Sequence, residues 1–91
     1  MSRVIVERTF PKPLTAQELE AVGERMAPCL KIYNVRWIRS FWSMDHLRMV
    51  CEYEAADAES VRAVQREAAA AFDRVWAADV VTPATEPSLS S

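Results

Sequence analysis

The chain has one glycine, Gly23, one histidine, His46, and two cysteines, Cys29 and Cys51, in 91 residues. A single glycine excludes phosphate-cradling loops, because neither GxGxxG nor a P-loop can be written. One histidine, with no motif around any serine, leaves nothing to anchor a catalytic triad. Two cysteines are too few for a disulfide framework, and their spacing matches no zinc motif. No apolar run exceeds a few residues, so none can span a membrane, and the N-terminus carries no apolar signal segment. A reducing cytoplasm is the expected compartment, with Cys29 and Cys51 as thiols packed in the core. Eleven basic against thirteen acidic residues give a net charge of −2, which offers nucleic acid no general reason to bind.

What is present is apolar residues, 51% of the chain. A chain this short buries only about 60–65% of its unfolded surface, so it would gain from pairing with a second copy. Residues 3–10 are a β-branched run stopped by Pro11 and Pro13, hence a strand followed by an extended turn. Thr15 and Glu18 form a capping box, and Leu19, Val22, Met26, Cys29 and Leu30 follow at helical spacing, which predicts a helix over 16–31. Pro28 lies inside it and predicts a kink or a weakened last turn. Strands follow over 35–43 and 47–54, joined at Met44, Asp45 and His46. Asp57 caps a second helix along Val61, Val64 and Ala68, and the alanines at 68–71 favour its continuation. Residues 74–81 read as a last strand, and 82–91 as a disordered tail behind a single domain over 1–81.

The order β-α-β-β-α-β predicts an α+β ferredoxin-like sandwich: an antiparallel four-stranded sheet with both helices on one face. Strands one and three lie side by side in the middle, that central pair itself read as parallel. Parity sends Val4, Val6, Met49, Cys51 and Tyr53 to the helices. It leaves Arg3, Ile5, Glu7, Arg48, Val50, Glu52 and Glu54 on the open face. Strand two is expected to add Arg36, Ile38, Ser40 and Trp42 to that face. A mixed apolar and charged face of this kind commonly meets a copy of itself, closing a dimeric α/β barrel.

Three function classes can be weighed against this face. RNA recognition needs base-stacking aromatics on the central strands, where this chain has Glu7, Glu52 and Glu54, which repel phosphate. Metal binding would use His46 with Asp45, since imidazole and carboxylate suit nickel, zinc or manganese. A cofactor-independent monooxygenase or isomerase in the barrel lumen would use Glu52 or Glu7 as base with Trp42 or Trp76 as walls, in a cavity lined by Glu52, Trp42 and Ile38. The ligand-binding candidates are therefore Glu7, Ile38, Trp42 and Glu52, and the metal candidates are His46 and Asp45.

Val6-Glu7-Arg8, Pro13-Leu14-Thr15, Cys29-Leu30, Trp37-x-x-Ser40-Phe41, Asp45, Cys51-x-Tyr53-x-Ala55 and the helix start at 57–62 together resemble a family of small bacterial proteins. That family was long treated as a domain of unknown function and is labelled nickel-binding or nickel-responsive. The resemblance spans about residues 3–81. It implies a ferredoxin-like fold, a homodimer, and nickel or another divalent metal as the bound group. The function expected on this basis is binding of a metal or a small ligand, with the dimeric-barrel enzyme as the alternative.

Overall fold

Alternation in the strands and two capped helical stripes produce the order β1 (Ser2–Thr9), α1 (Ala16–Ile32), β2 (Arg36–Trp42), β3 (Arg48–Ala55), α2 (Ala58–Glu67) and β4 (Arg74–Ala78). The computed structural model describes residues 1–83, so the expected tail lies outside the described residues from 84 onward. The sheet order is β2-β3-β1-β4.

Every neighbouring pair in the sheet is antiparallel, including the central pair β1–β3. The expectation that β1 and β3 run parallel is therefore corrected. Each crossover helix joins two parallel strands that are not neighbours, β1 to β2 and β3 to β4, and the β2–β3 hairpin reverses the direction between them.

Both helix starts follow their capping residues. The Glu18 amide donates to the Thr15 hydroxyl at 3.1 Å and the Thr15 amide to the Glu18 carboxylate at 2.9 Å. Asp57 accepts from the Ser60 amide at 2.8 Å. These bonds hold the Glu18 and Asp57 carboxyls below their ordinary values. The first helix runs on through Pro28 to Ile32, so the proline does not end it.

The alanine run does not extend α2, which stops at Glu67. Ala69 adopts a left-handed φ of 54°. Burial overrides helix propensity here, because Ala68 and Ala70 turn into the core. The turn's carbonyls find cations in place of helical amides: Arg25 donates to the Ala68 carbonyl at 2.8 Å and Arg8 to the Ala71 carbonyl at 3.0 Å.

The core lies between sheet and helices. It is built from Val4 and Val6 of β1, Met49, Cys51 and Tyr53 of β3, Val61 and Val64 of α2, and Met26 and Cys29 of α1. Both cysteines are free and buried, as expected. The fold is thus an α+β ferredoxin-like sandwich. No helix among the described residues is long and apolar enough to cross a membrane.

Candidate functional site

Strand β2 carries the largest difference from the sequence expectation. Trp37 pairs with Tyr53 and Arg39 with Glu52, so Ile38 is an extra residue in the ladder, a β-bulge. One inserted residue moves everything after it to the other face. Ser40 and Trp42, opposite Cys51 and Met49, lie on the helix side, whereas Arg39 and Phe41, opposite Glu52 and Val50, lie on the open side. The placement of Ser40 and Trp42 on the open face is therefore corrected, and Ile38 sits at the bulge, half-buried.

The open face has three rows across the strands. Phe41, Val50, Glu7 and Arg74 form the first, Arg39, Glu52, Ile5 and Trp76 the second, and Arg36, Glu54, Arg3 and Ala78 the third. Phe41, Val50, Ile5 and Trp76 make an apolar diagonal across it, with Phe41 63% and Trp76 45% exposed. All the carboxylates in these rows are paired. Glu52 is held by Arg3 and by Arg39, the latter at 2.9 Å, and Glu54 by Arg36 at 2.7 Å. Glu7 accepts from the Trp76 indole at 2.7 Å and faces Arg74 at 3.8 Å. The Arg36 bond holds the Glu54 carboxyl below its ordinary value. A base needs an oxygen free to meet a substrate proton. Both oxygens of Glu52 are committed to guanidinium groups, whereas Glu7 commits only Oε2, to the Trp76 indole and Arg74.

The proposed ligand residues are not gathered in one place. Glu7 and Trp42, from opposite faces, both line a depression of about 440 Å³ at the end of the sheet, bordered also by Phe41, Arg48 and Arg74, whereas Glu52 and Ile38 do not line it. The Trp42 indole N–H is buried without a hydrogen-bond partner, and its ring stacks on His46 with centroids 3.7 Å apart and planes at 16°.

His46 and Asp45 have structural roles in the β2–β3 hairpin. His46 takes a left-handed φ of 61°, and its carbonyl accepts from the Leu14 amide at 3.0 Å. Asp45 accepts from the Ser43 hydroxyl at 2.7 Å and the Leu47 amide at 3.0 Å. These two donors, Ser43 first, hold its carboxyl below the ordinary carboxylate range. Among the described residues no three histidine, cysteine or acidic side chains come together as a metal would require. His46 and Asp45 of one chain therefore do not fit a metal by themselves.

Residues 5–77 match the family described as nickel responsive protein SCO4226-like. The chain belongs to that family. Among solved structures, the crystal structure of SCO4226 from Streptomyces coelicolor A3(2) is similar with a TM-score of 0.79 and 16% identity, over 89% of this chain and 100% of that one. At that identity the likeness shows the fold. No curated protein matches the chain. Family membership confirms the resemblance read from the sequence, and with it a nickel-responsive family description.

Sequence reasoning passed over one residue. Arg8 is 7% exposed, on the helix side of β1 in line with Val4 and Val6. It donates to the Gln65 side-chain oxygen at 2.7 Å and to the Tyr53 hydroxyl at 3.1 Å, besides the Ala71 carbonyl. The signal was available: the parity that buries Val4 and Val6 buries Arg8 too, in a strand whose last inward position is a cation.

Proposed function

We propose that this chain works as a homodimeric binding protein, with the open sheet face as the surface through which two copies meet. The observation that carries this reading is the apolar diagonal of Phe41, Val50, Ile5 and Trp76, flanked by charges that are already neutralised in pairs. Apolar area gives the driving force, at about 25 cal/mol per Å² removed from water. Paired charges enter an interface at lower desolvation cost than lone ones. An isologous pairing also covers the aromatic side chains that a solitary sheet leaves in water. The enzyme alternative has less support, because both oxygens of Glu52 and one of Glu7 are already engaged. Two buried free thiols suit a reducing cytoplasm.

The test is sedimentation of the wild type and of Phe41→Glu. The wild type is expected at twice the 10.3 kDa chain mass. Phe41→Glu should sediment as a monomer with unchanged far-ultraviolet circular dichroism. A wild type that stays monomeric at 100 µM, about the concentration of an ordinary structural sample, would remove the reading.

A second reading follows the family's description, which makes nickel the divalent metal to try. His46 with Asp45 supplies only part of a donor set, so a metal would need donors from both copies. Ni²⁺ should then raise the melting temperature of the wild type but not of His46→Ala. An unchanged wild-type melting curve would dismiss the nickel reading while leaving the dimer reading intact.

A further inference from the structure

On the opposite side of the sheet, α1 does not close fully onto β2 and β3. A cleft of about 550 Å³ runs beneath it. Leu19, Val22 and Met26 of α1 form one wall, Met49 and Cys51 the other, and Trp37 stands at the β2 edge. Gly23 leaves the helix side open, for nothing lies within 4 Å of where its Cβ would be. Volume and apolar lining fall within the range of small-molecule pockets.

On the sheet side the polar residues that line this apolar space are Ser40, Tyr53 and Arg8. The Ser40 hydroxyl is engaged by the Trp37 indole at 2.9 Å. Arg8 has three neutral partners and, among the described residues, belongs to no ion pair. Tyr53 does not supply the missing charge, because burial pushes its hydroxyl up to about 12, with Cys51 adding to the rise and Arg8 opposing it. The neighbouring Gln65 is fully buried, and its amide nitrogen has no partner. A cation in an apolar interior without a counter-charge is costly unless something negative joins it.

Glu20 and Glu24 also border the cleft, and both are exposed. The rim carboxylates are hydrated and screened by salt, so the buried guanidinium dominates inside.

We infer that the cleft between α1 and the sheet binds a small organic anion, a carboxylate with an apolar body, its head at Arg8 and its tail along Leu19, Val22 and Met49. Gln65, Tyr53 and Ala71 take three of the five N–H donors of the guanidinium, which leaves two charged donors for a carboxylate. The site lies on the covered face and does not depend on whether two copies pair through the other.

The test is calorimetric titration with octanoate and with 1-octanol, an uncharged chain of the same length. The wild type should bind octanoate at least tenfold more tightly than octanol. Arg8→Met should abolish that preference, and Gly23→Leu, which puts a side chain into the open space, should abolish binding of both while the protein stays folded. Equal binding of octanoate and octanol would overturn the inference, making Arg8 a structural residue only. So would absence of octanoate binding at millimolar concentration, or binding that survives Gly23→Leu. Should Arg8→Met fail to fold, the wild-type comparison and Gly23→Leu still decide the matter.

Discussion

The two faces of one sheet treat charge in opposite ways. On the open face each carboxylate of the three rows has an arginine beside it, and Glu52 has two. On the covered face a single guanidinium sits among methionine, cysteine, tyrosine and valine, with neutral partners. The same residue type therefore does two jobs. Outside, arginine neutralises a surface that also carries Phe41 and Trp76. Inside, Arg8 ties β1 to β3, to α2 and to the turn after α2, and leaves a net positive charge at the edge of a cleft. Context, and not the residue type, sets what each arginine is worth.

Removing charge from each side should separate the faces most clearly. Arg8→Met should lower stability by about 3 kcal/mol, read from urea unfolding, because it leaves the buried Gln65 side-chain oxygen and the buried Tyr53 hydroxyl without the donor they share. Glu52→Gln should lower unfolding stability at high salt by no more than about 1 kcal/mol, since Arg3 and Arg39 remain partly hydrated. Equal losses would break the comparison.

The turn that Arg8 and Arg25 cap allows an opposite change. Ala69→Gly relieves a left-handed φ of 54° and should raise stability by about 1 kcal/mol, visible as a higher melting temperature. A fall would mean that the turn is not strained as described.

The smallest effects concern pH, and their signs differ between the faces. Glu54 on the open face, held by Arg36, and the helix cap Asp57, held by Ser60, have folded values below the ordinary 4.5 and 3.8. The stability they contribute is present above those values and is lost as pH falls through the folded ones. Tyr53 on the covered face is raised from 10.0 to about 12, so its contribution is present below pH 10 and is lost as pH rises toward 12. Melting curves should therefore weaken below about pH 4.5 and again above pH 10. Phenolate absorbance should lag behind that of free tyrosine until the protein unfolds.

Much of this architecture was legible in the residues. Alternation in Val4 and Val6 and in Met49, Cys51 and Tyr53 gave the covered face, and the Thr15–Glu18 and Asp57 caps gave both helix starts. Two features resisted. The bulge at Ile38 leaves no mark in a pattern such as Trp37-Ile38-Arg39, because each of these residues suits either face of a half-exposed strand. The end of α2 depends on burial of Ala68 and Ala70 and on arginines distant in the chain, while local alanine propensity points the other way. Both are tertiary effects. The bulge is also why Ile38 and Trp42 do not join Glu7 and Glu52 on the open face as the proposed ligand set requires. Arg8 was legible by parity, although a cation is the residue least expected on an inward face.

The central claim is that the open face meets a second copy. The most direct measurement is an isotope-filtered nuclear Overhauser experiment on a mixture of labelled and unlabelled chains. The account predicts intermolecular contacts among the side chains of Phe41, Val50, Ile5 and Trp76, and none to Met49 or Cys51. Intermolecular contacts confined to the helices, or none at all at millimolar concentration, would contradict it.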